Sequence, residues 1–189
     1  TTATISDNKW SPDGERISYA LTSNGETKIH VMLADGTHDT TVMFDISHEN
    51  FTTWSPDSTW MAVGATNTNY LGIYKRNPQG VNQFRITETQ DSFPVWAPND
   101  DRIAFVSKRE GFPDIYIVNG QDLDQIQLTK GDGNDYDLAW SPDGKWLCFA
   151  TRAKGRRMLV KVAAAGGNMI KIPTLGAINP TGPAWSPDG

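Results

Sequence analysis

Apolar residues return along this chain in short runs, often at every second position, and nowhere at the spacing of a helix. The clearest stretch reads "RIAFVS" (102–107), "DIYIV" (114–118) and "QIQLT" (125–129), separated by the turn-rich "KREGFP" and "NGQDLD". Runs of this length bounded by Gly, Pro, Asn and Asp predict β-strands joined by tight connections. "RIAFVS" is apolar at nearly every position, as a strand covered on both faces would be, whereas "QIQLT" alternates like a half-solvated edge strand.

The same order of strands recurs. It is marked by "WSPDG" at Trp10, "WSPDS" at Trp54, "WAPND" at Trp96, and "WSPDG" again at Trp140 and Trp185, at intervals in the low forties. A strand-rich repeat of that period predicts β-propeller blades, each a four-stranded sheet with strands A to D. Seven and nine residues beyond the Trp stand large residues: Ile17, Met61, Ile103 and Leu147, then Tyr19, Val63, Phe105 and Phe149. Between them the slot is small, holding Ser18, Ala62, Ala104 and Cys148. Strand B therefore has a large face and a small face, and the Trp is expected to wedge between neighbouring sheets.

The predicted fold class is all-β: a β-propeller of four four-stranded antiparallel blades plus the first strand of a fifth, forming part of a larger propeller. The blades span approximately 1–47, 48–90, 91–134 and 135–178, with 179–189 opening the next. A closed four-bladed ring, or an open half-ring completed by a second copy, are the alternatives. Open blade edges favour self-association.

The pentapeptide suits the corner between strands A and B. Pro presets the first turn position, and Asp13, Asp57, Asp143 and Asp188 follow with side chains that bond nearby N–H groups. Gly supplies positive φ. Ser58 and Asp100 replace it in the second and third copies, and because Asp tolerates that conformation better, the second turn is the one expected to be strained or built differently. The repeated Trp and Asp residues are read as structural, not catalytic.

These repeats resemble those of TolB-type, WD-like β-propellers, whose units combine W-S-P-D-G, an apolar strand, D-I-Y and L-T. The unit beginning at Trp96 matches nearly throughout, whereas "YLGIYKRNPQG" and "RMLVKVAAAGG" keep the alternation without the family's letters. The resemblance implies a periplasmic or extracellular protein and leaves three functional classes open. One is a non-enzymatic scaffold or accessory subunit with a protein partner. Another is the gating propeller of a larger prolyl-oligopeptidase-like serine peptidase. The third is a propeller lyase or glycan-binding protein.

Charge and candidate chemistry narrow the picture a little. The formal net charge is −5 with both signs interspersed, so no basic stripe points to nucleic acid. No run of residues is long and apolar enough for a membrane helix. One cysteine, Cys148, excludes an intrachain disulfide; its small slot predicts a buried residue, not a nucleophile. No G-x-S-x-G elbow occurs. His30, His38 and His48 lack metal-ligand spacing. No cofactor is expected, with one candidate exception: in "KGDGNDYD", Asp132, Asn134, Asp135 and Asp137 offer hard oxygen ligands suited to Ca²⁺, without the EF-hand pattern. The D–A loops ("DISHEN", "ETQD", "KGDGND", "LGAINP") are largely acidic. The B–C loops of the last two blades carry Lys108, Arg109, Arg152, Lys154, Arg156 and Arg157, a candidate partner-binding set.

Overall fold

Each apolar run finds its partner in an antiparallel ladder. The structure, a computed structural model, describes residues 3–46, 52–65, 71–131, 133–174 and 180–189, and among these it contains sixteen strands and no helix. The first sheet holds β1 (Thr4–Trp10), β2 (Arg16–Ser23), β3 (Glu26–Leu33) and β4 (Thr40–Ile46). The second holds β5 (Thr52–Trp54), β6 (Met61–Ala65), β7 (Gly72–Arg76) and β8 (Gln83–Arg85). β9 (Asp91–Trp96), β10 (Arg102–Ser107), β11 (Asp114–Asn119) and β12 (Gln125–Gln127) make the third. The fourth comprises β13 (Asn134–Trp140), β14 (Trp146–Ala153), β15 (Arg156–Ala163) and β16 (Ile170–Ile172). Strand order follows the sequence in every sheet, which is the meander of a propeller blade. The chain divides into two compact units, Thr1–Pro94 and Val95–Gly189, each centred on two blades.

Inside each unit the large and small faces of strand B explain one another. Trp54 of the second blade reaches the small face of the first, where its Nε1–H lies 3.1 Å from Ser18 Oγ and 3.3 Å from Lys9 O. It packs there in one core with Ala20, Ile29, Val31, Met61 and Val63. In the other unit Trp140 donates to Val95 O at 2.9 Å and packs among Ala97, Ala104, Leu147 and Phe149. A small residue leaves room for the indole of the following blade, and large residues fill the space behind it. Cys148 occupies such a slot and is buried.

Trp10 departs from the expected wedge. It is 58% exposed, against 6% for Trp54 and 8% for Trp140, and Ile5 beside it on β1 is exposed as well. At the other end, residues 182–185 were expected as the inner strand of a fifth blade and are not a strand here. A strand is defined by the ladder it shares, and these residues share none among those described. Trp185 nevertheless repeats the contact of its counterparts, donating from Nε1 to Ala139 O at 3.0 Å.

The corner turns repay close comparison. Ser11 Oγ donates to Asp13 Oδ1 at 2.5 Å and accepts from Arg16 N at 2.9 Å, while Asp13 Oδ1 accepts from Glu15 N at 3.0 Å. The same three bonds recur around Ser55 and Asp57, and around Ser141 and Asp143. Contrary to expectation, the second turn is built like the others: Ser58 adopts a φ of 59° and still donates its N–H to Ser55 O. Its Oγ accepts from Asp13 N at 3.0 Å, which offsets part of the left-handed cost. The third turn is the one that differs, because Ala97 has no hydroxyl to brace it. Asp100 does not take positive φ; its carboxylate instead accepts from Arg102 N and from the Arg102 guanidinium.

A second, longer period runs through the blades. Six residues beyond the marker Trp stand Arg16, Trp60, Arg102 and Trp146 in turn. Arg16 bonds Ser58 O and lies over the Trp54 ring; Arg102 bonds Gly144 O and lies over the Trp140 ring. Trp60 and Trp146 are instead each covered by a lysine of their own blade, Lys75 and Lys161. Where those lysines stand, the other two blades carry Val31 and Ile117.

Candidate docking site on the blade hairpins

The B–C hairpin of the fourth blade is a two-residue turn. β14 pairs with β15 up to Ala153↔Arg156, and Lys154 and Gly155 have φ of 49° and 77°. Positive φ at both central residues is the type I′ geometry that matches strand twist and normally selects Asn-Gly. The first blade has that favoured pair at the same place, Asn24 and Gly25, with φ of 55° and 80°. Lysine in the left-handed region costs on the order of 1 kcal/mol more than it would elsewhere. The fourth blade thus carries a charge where backbone preference asks for asparagine.

The six basic residues separate into two groups. Arg109 folds back onto its own blade, its guanidinium 4.4 Å from the Tyr116 ring centroid, with Nε donating to Ser107 Oγ at 2.8 Å. Arg157 lies 5.4 Å from the Tyr136 ring. Both are anchored by aromatic faces that the sequence reading did not single out; the signal lay in Tyr116 and Tyr136 standing on strands next to the basic loops. Lys108, Arg152, Lys154 and Arg156 are exposed, and among the described residues no carboxylate pairs with Arg152, Lys154 or Arg156.

The candidate Ca²⁺ ligands go different ways. Asp132 lies outside the described residues. Asn134 is exposed, Asp135 is buried, and Asp137 uses Oδ2 to accept from Gly182 N at 3.1 Å. Asp137 sits at a β-bulge with φ of 56°, as Asp7 does with φ of 51° in β1, and Asp7 accepts from Thr52 N at 2.6 Å. The bulge aims a carboxylate at the chain segment that follows one blade later. Among the described residues no three His, Cys, Asp or Glu side chains form a metal-binding group. His30 stacks on Tyr19 and meets Asp39 at 3.1 Å, His38 occupies a turn, and His48 lies outside the described residues.

Asp135 instead belongs to a seam that sequence reasoning missed. A cavity of about 270 Å³ within the second unit is lined by Asp114, Thr129, Asp135 and Thr151, with Met158 and Met169 on its wall. Burial pushes the carboxyls of Asp114 and Asp135 up, and their mutual repulsion raises Asp114 further. Asp114 is the Asp of "DIY" and Thr129 the Thr of "QLT". Thr129 Oγ1 accepts from Ile115 N at 2.8 Å, as Thr87 Oγ1 accepts from Ile73 N at 2.9 Å in the second blade. That bond ties the end of strand D to strand C.

Meandering four-stranded blades, Trp-to-carbonyl contacts and braced Ser-Pro-Asp corners define a propeller of the W-S-P-D-G type. The chain belongs to the TolB β-propeller family: the sequence model of the TolB beta propeller domain matches residues 87–189. No protein of curated function matches it in sequence. Among solved structures it is similar to TolB from Acinetobacter baumannii, at 18% identity and a TM-score of 0.77 over 93% of this chain and 45% of that one. It therefore spans less than half of that protein. A TolB-designated protein from Agrobacterium tumefaciens is 18% identical with a TM-score of 0.73, over 100% of this chain and 88% of the other. A puromycin-hydrolyzing peptidase from Mycobacterium tuberculosis is 14% identical with a TM-score of 0.73, over 91% of this chain and 31% of the peptidase. At these identities the likeness is one of fold.

Proposed function

We propose that this chain acts as a non-enzymatic protein-interaction module, a scaffold or accessory subunit in the manner of a TolB-like propeller, in the periplasm or outside the cell. The observation that carries this reading is the set of exposed cations Lys108, Arg152, Lys154 and Arg156 on B–C hairpins whose neighbouring arginines are locked onto aromatic rings. Arg152, Lys154 and Arg156 stand at or beside a two-residue turn, where exposed charge is presented without ordering a long loop, and Lys108 opens the longer 108–113 connection. The Asp residues of the repeats are, by contrast, consumed by their own turns.

A native pull-down tests it, using the wild type beside a variant with Lys108, Arg152, Lys154 and Arg156 all changed to Glu. A protein retained by the wild type and lost by an equally stable variant supports the reading. Equal recovery by both, or substrate turnover by the isolated chain, counts against it.

The likeness to the peptidase propeller supports a second reading, in which the blades gate a catalytic domain elsewhere in a longer polypeptide. A G-x-S-x-G elbow in the parent open reading frame is the observation that favours it.

A further inference from the structure

We infer that the tip of the β14–β15 hairpin docks a short acidic segment of a partner protein, a run of Asp or Glu side chains; the inference rests on the interaction-module reading and narrows it to one hairpin. Arg152 and Arg157 stand directly opposite each other in the ladder, and Arg156 and Lys154 follow at the turn. Like charges directly across a ladder repel. Arg157 relieves its own position by lying on Tyr136; Arg152 shares that face, Arg156 stands on the other face opposite Ala153, and Lys154 sits in the turn between them, all three exposed.

Asp137 acts electrostatically on Tyr136 together with Arg157 and Arg152, but one of its oxygens already serves Gly182 N. The equivalent hairpin of the first blade has the same I′ backbone and no such concentration. It reads Thr22 to Thr27 with a single acid, Glu26, which pairs with Lys28 at 3.5 Å. The fold therefore does not require charge at this position, and the fourth blade places it there on a lysine whose backbone would prefer asparagine.

Two facts select the partner's chemistry. Guanidinium forks bind carboxylates bidentately, and two of the three exposed cations are arginines. The chain as a whole carries a net charge of −5, so a long polyanion such as nucleic acid would meet a negative body beyond the tip. A short acidic segment meets only the tip.

The test uses the full chain, a labelled glutamate-glycine peptide as probe, and fluorescence anisotropy at low salt. The altered protein is the triple variant Arg152→Ser, Lys154→Asn and Arg156→Ser. Asn at 154 suits positive φ, so this variant keeps its fold, which circular dichroism checks. Expected is salt-sensitive binding weakened about tenfold or more in the triple variant and unchanged in Lys145→Ser, an exposed lysine on the A–B corner. Absence of binding, equal binding by the triple variant, or equal binding of a serine-glycine peptide overturns the inference. So does tighter, competing capture of heparin at the same residues, which would assign the tip to a sulfated glycan. Should the peptide fail while the pull-down partner still depends on these charges, the acidic-segment inference falls and the module reading stands. Should the peptide bind as expected and the pull-down yield nothing, the reverse holds.

Discussion

Two populations of aspartate show how one residue type takes opposite roles in this chain. The corner aspartates accept hydrogen bonds as anions: the Ser11 hydroxyl, with Glu15 N–H next, holds the Asp13 carboxyl down at about 2. Asp114 and Asp135 are pushed the other way by burial. A carboxyl whose folded-state pKa lies above its unfolded value holds a proton that unfolding releases. Its stabilising contribution is full below the unfolded pKa and is lost as pH rises through the folded one. Asp135→Asn keeps the shape and adds an amide donor to the seam. The variant should therefore gain on the wild type as pH is raised from about 4 to about 7 in urea titrations. A stability difference that stays flat with pH, or that moves toward the wild type, would show that burial does not raise the Asp135 carboxyl.

At the scale of the strand, the wedge is where stability concentrates. Trp140→Ala should cost about 3–5 kcal/mol in denaturant midpoint experiments, because it empties a filled slot in a closed core. Trp10→Ala, at the same place in the motif, should cost under about 1 kcal/mol, since the side chain buries little. Equal losses would mean that Trp10 is covered in solution. The strands themselves were legible from the chain because the large-small-large pattern of strand B reports two covered faces at once. Which turn would break the pattern was not legible. Intrinsic φ preference ranks Asp above Ser at the glycine position, yet Ser58 conforms and Asp100 does not. The deciding atom is the hydroxyl missing from Ala97, two bonds of a network away from the residue whose preference was being weighed. The basic set was readable as a list of charges, but the division between Arg109 and Arg157, which lie over aromatic rings, and Arg152, Lys154 and Arg156 depends on ring faces that only the fold brings underneath them. Asp114 and Asp135 lie far apart in the chain, and nothing in either run announces that one cavity collects both.

For the molecule as a whole, the alternation of Arg16, Trp60, Arg102 and Trp146 couples pairs of positions. Arg102→Trp alone should destabilise, because Gly144 O loses its donor and the new indole has no cation above it. Ile117→Lys, which recreates the arrangement of Trp60 with Lys75, buries a charge and costs stability on its own, but the pair should show a favourable coupling of about 0.5–2 kcal/mol in a double-mutant cycle. A coupling of zero would show the alternation to be incidental. The alternation also bears on ancestry. Inside each unit the arginine of one blade reaches the next, Arg16 to Ser58 O and the Trp54 ring, Arg102 to Gly144 O and the Trp140 ring, so a two-blade coding segment carries that bridge whole. A gene lengthened by duplicating that segment keeps each bridge intact, whereas an exchange of the first blade for the second puts Trp60 where Arg16 must reach Ser58 O.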